Sequence, residues 1–98
     1  MSPQIPIDRQ KIAAFCQKHH ILKLSLFGSV LRKDFRPDSD IDVLVEFEKD
    51  HTPGFAFFSI QLELSENLGR KVALQTPQFL SRYFRDQVIA DSQVQYAA

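Results

Sequence analysis

Two acidic residues at the start of an apolar segment are the strongest sign of chemistry in the sequence. Asp40 and Asp42 flank Ile41 in the run PDSDIDVLVEF. A strand would place both carboxylates on one face, with Cα atoms roughly 7 Å apart, because side chains alternate along a strand. Carboxylates this close repel each other, and a shared divalent cation removes that repulsion. The pair suits Mg²⁺, which takes one or two protein carboxylates and completes its shell with water and phosphate oxygens.

A glycine–serine pair upstream supplies the second part of a nucleotide site. Gly28 and Ser29 follow the alternating segment ILKLSLF, so they are predicted to form a turn between a strand and a helix. At such a turn the backbone N–H groups point outward and can bind phosphate. Gly28 lets the backbone approach a ligand closely, and the Ser29 hydroxyl can donate a hydrogen bond. Each feature alone is common in turns and solvated loops, whereas the two together indicate a nucleoside triphosphate site.

The elements that must position these residues alternate between helices and strands. Apolar spacing predicts helices that begin near Asp8 and cover 29–35, 57–68 and 76–89, and strands over 21–28, 41–47 and 71–75. Pro37 predicts a loop over 36–40, and the residues from about Ser92 are expected to fray. The resulting order is αβαβαβα. It predicts a single α/β domain over 1–98, with helices packed on a small three-stranded sheet.

The composition is typical of one small globular domain and disfavours several classes of partner. The chain has 98 residues, 44% of them hydrophobic, and its 12 basic and 12 acidic residues balance. That balance gives no overall attraction to nucleic acid or to an anionic membrane. A single cysteine excludes an internal disulfide. With no apolar run near the ~20 residues that cross a bilayer and no signal-peptide pattern, we expect a cytoplasmic protein without membrane contact.

The spacing of the motifs resembles the signature of the DNA polymerase β-like nucleotidyltransferases. Gly28-Ser29, ten intervening residues and then Asp40-Ile41-Asp42 match that signature. The segments PDSDIDVLVEFE, FFSIQLELSENLGRKV and TPQFLSRYFRDQVIADSQVQY are similar to the minimal nucleotidyltransferases (MNT), the antitoxin partners of HEPN ribonuclease toxins. The resemblance covers nearly the whole chain, and it implies a polymerase β-like palm with a mixed sheet.

The resemblance also implies an activity and a set of site residues. Such proteins bind Mg²⁺ and ATP and place AMP on a tyrosine of the partner toxin, which silences it. Gly28 and Ser29 would then hold the triphosphate, while Asp40 and Asp42 would bind the metal ions. Arg32 matches a basic position of the family that can contact phosphate, and a solvent-exposed helix residue is the alternative interpretation.

The third predicted strand departs from the family pattern. Relatives commonly carry an acidic residue between two apolar residues there, whereas this chain has Ala73 between Val72 and Leu74. Glu46 lies about 13 Å along a strand from the acidic pair, and Asp38 belongs to the loop, so neither replaces the missing carboxylate. A natural loss and an engineered substitution both account for Ala73. We expect the chain to bind Mg²⁺–ATP but to transfer AMP slowly or not at all, and an antitoxin that acts by binding alone is the alternative.

Overall fold

The computed structural model describes residues 5–33, 35–36, 38–51 and 53–98, and these form helices packed on a mixed sheet. The helices are α1 (Arg9–Lys18), α2 (Ala56–Leu68) and α3 (Arg85–Asp91), and the strands are β1 (Ile21–Phe27), β2 (Ile41–Phe47), β3 (Val72–Gln75) and β4 (Gln93–Ala97). Short 3₁₀-helices cover Gly28–Leu31 and Pro77–Phe79. Position 37, on which the loop prediction rested, lies outside the described residues. No helix within the described ranges has the length and apolar character needed to cross a membrane.

The sheet has the strand order β3-β2-β1-β4. β1 pairs antiparallel with β2 on one side and with β4 on the other, whereas β2 and β3 run parallel. The parallel pair requires a crossover, and α2 supplies it. This arrangement confirms the predicted α/β class with a mixed sheet, and it places β2, which carries the acidic pair, between β1 and β3.

The predicted count of three strands and the order αβαβαβα are wrong. The described residues contain a fourth strand, β4, where fraying was expected. Without β4, the second side of β1 would expose unpaired backbone groups, which is the physical reason for the extra strand. The predicted helix over 76–89 is also wrong in extent, since only Arg85–Asp91 is α-helical. Thr76 makes no capping hydrogen bond, and Leu80 has an extended backbone that ends the 3₁₀ turn.

The core lies on one face of the sheet, where alternate strand residues meet the helices. Ile41, Val43 and Val45 on β2 are fully buried, and their β1 and β3 counterparts join the same cluster. At about 25 cal/mol per Å² of apolar surface, these side chains dominate the stability of the domain. Asp42, between Ile41 and Val43, therefore points to the opposite face, where α1 and α2 do not cover it.

An ion pair joins α1 to α2. The Glu63 carboxylate accepts a hydrogen bond of 2.9 Å from Lys18 Nζ and lies 3.0 Å from His19 Nε2. Lys18, and then His19, holds the pKa of Glu63 below its ordinary value. Asp8 begins α1 as predicted, because its side chain accepts hydrogen bonds from the backbone N–H groups of Gln10 and Lys11.

Side chains of α2 secure β3, the edge strand beside the acidic pair. Ser65 Oγ accepts a hydrogen bond of 3.1 Å from the Val72 N–H, and Gln61 Oε1 accepts one of 2.9 Å from the Leu74 N–H. Both backbone donors would otherwise lie unpaired along the sheet edge. The two side chains fix the strand on either side of Ala73, so α2 determines where that position lies.

Candidate functional site

The end of β1 brings the glycine–serine turn beside the acidic pair. The antiparallel register pairs Phe27 with Asp42, and Gly28 is the next residue along the chain. Gly28 has a φ of 75°, and a Cβ added at this residue would overlap Oδ2 of Asp42. Only glycine meets both conditions without strain, because the left-handed conformation and the close approach each exclude a side chain. The predicted phosphate-binding turn and the predicted metal-binding pair therefore adjoin each other.

The residues after Gly28 form a single 3₁₀ turn instead of the α-helix predicted over 29–35. Ser29 is half-buried in this turn, and its carbonyl oxygen accepts a hydrogen bond of 2.9 Å from the Arg32 N–H. Arg32 has an extended backbone with ψ of 153°, so the alternative interpretation is wrong in placing Arg32 on a helix and right in its exposure. Its side chain is exposed, and its charge acts on Asp42.

The acidic pair carries more negative charge than the nearby cation balances. Burial, and then the neighbouring Asp40 carboxylate, raises the pKa of Asp42 above its ordinary value, and Arg32 only partly opposes this. Asp40 itself is exposed, and Asp42 is half-buried. A net negative site with two hard oxygen donors fits a divalent cation such as Mg²⁺. No group of three or more His, Cys, Asp or Glu in the described part of the chain could hold a metal, so water and a ligand would have to complete the coordination.

Ala73 lies directly beside Asp42 on the adjacent strand. The parallel register pairs Asp42 with Ala73, and neighbouring strands lie about 4.8 Å apart. A carboxylate at this position would join the acidic pair, whereas a methyl group neither binds a cation nor accepts a proton. Glu46 pairs with Lys23 further along β2, and Asp38 is exposed in the loop, so neither substitutes for the missing group.

The loop before Asp40 is held by Arg70, a residue that no motif in the sequence singles out. Arg70 Nη2 donates hydrogen bonds of 2.7 Å to the Arg36 carbonyl oxygen and 3.2 Å to the Ser39 carbonyl oxygen. Its guanidinium lies over the Phe35 ring, with Cζ 4.3 Å from the ring centroid. These partners lie more than 30 positions away in the sequence, so no local pattern could have revealed the contact.

A cleft of about 600 Å³ opens next to the glycine–serine turn. Gly28 and Arg32 line one side, and Phe84, Val88 and Asp91 of the α3 region line the other. Its volume lies within the range of roughly 300 to 1,000 Å³ that is typical of small-molecule sites. The cleft is therefore large enough for a nucleoside and is continuous with the turn predicted to bind phosphate.

Large apolar side chains are exposed at the start of α2 and after β3. Phe55, Phe58 and Leu62 are 96%, 66% and 64% exposed, and Phe79 is 66% exposed. Phe58 and Phe79 line a second cavity, of about 540 Å³, with Phe57 between them. Contiguous apolar surface on a small protein is typical of an interaction site.

The polymerase beta nucleotidyltransferase family model matches residues 10–97. A Methanocaldococcus jannaschii protein that is named a protein adenylyltransferase is 30% identical over 84 residues, which are 86% of this chain and 89% of that protein. A second protein of this organism with the same type of name is 41% identical over 59 residues, which are 59% of this chain and 58% of its own length. Sequence similarity of this extent and the matched family model point to one family.

Solved structures share the fold over most of the chain. A minimal nucleotidyltransferase is 32% identical with a TM-score of 0.72, covering 86% of this chain and 85% of that one. A toxin–antitoxin complex with AMP-PNP contains a chain that is 21% identical with a TM-score of 0.75, covering 94% and 75%. A complex of a tri-AMPylated Shewanella oneidensis HEPN toxin with its MNT antitoxin contains a chain that is 21% identical with a TM-score of 0.65. The match covers 92% of this chain and 70% of that one. The two more distant structures show the fold alone, and that fold agrees with the helices and mixed sheet described above.

Proposed function

This chain belongs to the polymerase beta nucleotidyltransferase family. We propose that it is a minimal, antitoxin-type member that binds a magnesium–ATP complex between the glycine–serine turn and the acidic pair. The partner would be a HEPN ribonuclease toxin, and the reaction for which the site is arranged is transfer of AMP to a tyrosine hydroxyl of that toxin. The observation that carries the proposal is the close approach of Gly28 to the Asp42 carboxylate. It brings a phosphate-binding turn and a pair of cation ligands to one place.

Each residue of the site has a distinct part in binding. The backbone N–H groups and hydroxyl at Gly28 and Ser29 would hold phosphate oxygens, and the exposed Arg32 side chain adds a positive charge beside them. Asp40 and Asp42 would hold Mg²⁺. When bound, the cation neutralises phosphate charge and lowers the pKa of an attacking hydroxyl. The cleft between the turn and α3 leaves room for the nucleoside.

Transfer of AMP needs a proton-accepting group beside Asp42, and the described site has none at position 73. The tyrosine oxygen would form a bond to the α-phosphorus, the bond to the bridging oxygen would break, and pyrophosphate would leave with that electron pair. The phenolic proton must pass to a base, and the position beside Asp42 holds Ala73 instead of a carboxylate. We therefore infer that this chain transfers AMP slowly or not at all.

A second function, neutralisation of the toxin by binding alone, is favoured by the same alanine. Binding needs a complementary surface but no third carboxylate. The exposed side chains Phe55, Phe58, Leu62 and Phe79 offer apolar area for a protein partner. Solved relatives of the MNT type are found in complexes with HEPN toxins, which supports a partner of this class.

Mass spectrometry of the HEPN partner separates the two functions. The partner is incubated with ATP, Mg²⁺ and either the unchanged chain or the Ala73→Asp variant, and gain of AMP is measured. We expect little or no AMP from the unchanged chain and a clear gain from the variant. High transfer by the unchanged chain that the substitution does not alter would contradict the inferred defect.

The binding-only function is tested by inhibition of the ribonuclease without ATP. If the unchanged chain and an Asp40→Asn, Asp42→Asn double variant both inhibit the ribonuclease in the absence of ATP, binding suffices. Loss of inhibition in the double variant, or a strict requirement for ATP, would favour transfer. Failure of the unchanged chain to bind Mg²⁺–ATP would contradict the proposed nucleotide site itself.

A further inference from the structure

The short segment between α2 and β3 holds the loop that leads into the acidic pair. Gly69 ends α2 with a left-handed φ of 69°, which turns the chain so that Arg70 and Lys71 precede β3. From this position the Arg70 guanidinium reaches across to the loop at 35–39, where it donates to two carbonyl oxygens and covers one aromatic ring. Among the described residues of this loop, the Arg70 side chain therefore contacts Phe35, Arg36 and Ser39.

Both peptide groups that flank Asp40 are anchored to these two residues. The Ser39 carbonyl oxygen, in the peptide group before Asp40, accepts the hydrogen bond from Arg70. The Ile41 N–H, in the peptide group after Asp40, donates a hydrogen bond of 2.9 Å to the Lys71 carbonyl oxygen. Asp40 is itself exposed, so packing around its own side chain contributes little to its placement. The backbone contacts on either side decide where its carboxylate lies.

We propose that Arg70 is a positioning residue that holds the loop so that the Asp40 carboxylate faces the same cation as the Asp42 carboxylate. This inference rests on the proposed binding of Mg²⁺–ATP. Partners that orient metal ligands without contacting the metal commonly change its affinity by about 10- to 100-fold when they are removed. Asp42 needs no such partner because it lies within β2, which is paired on both sides.

Arginine is suited to this task in a way that lysine is not. Its planar guanidinium can donate to both carbonyl oxygens while its face lies against Phe35. Both hydrogen bonds come from Nη2, and a lysine Nζ also carries several donors, but lysine has no flat face to lie against Phe35. Arg70→Lys is therefore expected to retain only part of the effect, and Arg70→Met to lose it.

Amide hydrogen exchange without nucleotide tests whether Arg70 holds the loop. In the Arg70→Met variant we expect faster exchange at the Ser39 and Ile41 N–H groups, with exchange in β1 unchanged. Arg9→Met is the matched control, since it makes the same change of side chain and charge on α1, away from the loop. Equal exchange in the Arg70→Met variant and the unchanged chain would overturn the proposal.

Calorimetric titration with ATP, in Mg²⁺ and again in excess chelator, tests the consequence for the site. Working well below the unfolding temperature of each variant, we expect Arg70→Met to weaken Mg²⁺-dependent ATP binding by about 10- to 100-fold. Binding without metal should not change, and Arg70→Lys should be intermediate. A similar loss with and without Mg²⁺ would overturn the proposal, because Arg70 would then act on the phosphates directly.

The experiments distinguish failure of the proposed Mg²⁺–ATP binding from failure of the positioning role of Arg70. If the unchanged chain shows no Mg²⁺-dependent ATP binding, the proposed function fails, and the exchange comparison still decides whether Arg70 holds the loop. If the unchanged chain binds and Arg70→Met binds equally well, only the positioning role of Arg70 is overturned.

Discussion

Replacing Ala73 with aspartate should destabilise the protein without metal and stabilise it when Mg²⁺ is added. The register places position 73 beside Asp42. Burial and the neighbouring Asp40 already raise the pKa of the Asp42 carboxyl. A third carboxylate adds repulsion to a site whose negative charge Arg32 only partly compensates. The folded state brings these charges together and the unfolded chain separates them, so the repulsion lowers the free energy of unfolding.

The size of the effect follows from the strand spacing. Carboxylates on neighbouring strands lie roughly 5 Å apart, which gives about 3 kcal/mol of repulsion at an effective dielectric constant of 20 and about 0.8 kcal/mol in water. Asp42 is half-buried, so we expect Ala73→Asp to cost about 1 to 3 kcal/mol. For a domain of this length, each 1 kcal/mol lowers Tm by about 4 to 8 °C.

Thermal unfolding with and without Mg²⁺ measures both parts of the prediction. Ala73→Asn is the matched control, because it has the same shape as the aspartate variant but adds no charge. The aspartate variant should unfold several degrees below the asparagine variant without metal. Mg²⁺ at 100 times the Kd of the aspartate variant would contribute about 2.7 kcal/mol to its folded state. The asparagine variant keeps only Asp40 and Asp42 and should bind the cation more weakly, so Mg²⁺ should narrow or reverse the difference.

Two results would refute this reasoning. Equal Tm values for the aspartate and asparagine variants in the absence of metal would mean that the introduced carboxylate does not approach Asp42. A difference that Mg²⁺ leaves unchanged would mean that the three carboxylates do not form a cation site. In either case, a gain of AMP transfer in the aspartate variant could not be attributed to a restored metal ligand.

Two further substitutions test the turn and the helix pair. Gly28→Ala should lower the free energy of unfolding by more than about 1 kcal/mol, because φ is positive and the new Cβ meets Asp42. The control Gly54→Ala, with no atom within 4 Å of the new Cβ, should change it by less than about 0.5 kcal/mol. Similar effects of the two substitutions in urea unfolding would contradict this. Glu63→Gln should cost less than about 1 kcal/mol at pH 7. Lys18 is the main cause of the lowered pKa of Glu63, and the stability that a lowered pKa contributes is lost as the pH falls through that pKa. The stability difference between the unchanged chain and Glu63→Gln should therefore vanish at acidic pH. A difference that stays constant down to about pH 3 would contradict this.

The sequence predicted the elements whose pattern reflects burial. β2 is rich in β-branched residues, and its apolar residues Ile41, Val43 and Val45, which share one face, are all buried. In the short β3, buried residues alternate with half-buried ones, so alternation alone predicted that Ala73 faces away from the buried Val72 and Leu74. Gly28 was predicted to let the backbone approach a ligand, which stays a prediction; the structure shows in addition that Gly28 approaches the Asp42 carboxylate.

The predictions failed where apolar spacing does not correspond to burial. Leu80, Phe84 and Val88 repeat at helical spacing, yet α3 has no fully buried residue and begins only at Arg85. In β4, where fraying was expected, polarity does not follow burial, since Gln95 is buried and Val94 is 43% exposed. Pairing with β1 stabilises this strand, and no pattern within the segment indicates that partner.

The features that the site retains and the one that it lacks separate nucleotide binding from transfer. In the proposed function, the approach of Gly28 to Asp42 and the loop held by Arg70 would place phosphate and a cation. A carboxylate at position 73 would serve the attacking hydroxyl. β3 remains hydrogen-bonded to Gln61 and Ser65 of α2 through the backbone on either side of position 73, so the strand does not depend on which side chain stands there. A single substitution should therefore suffice to restore transfer. A chain remodelled for binding alone would have no reason to keep a complete nucleotide site, so recovery of activity by Ala73→Asp would favour an enzyme that lacks one group.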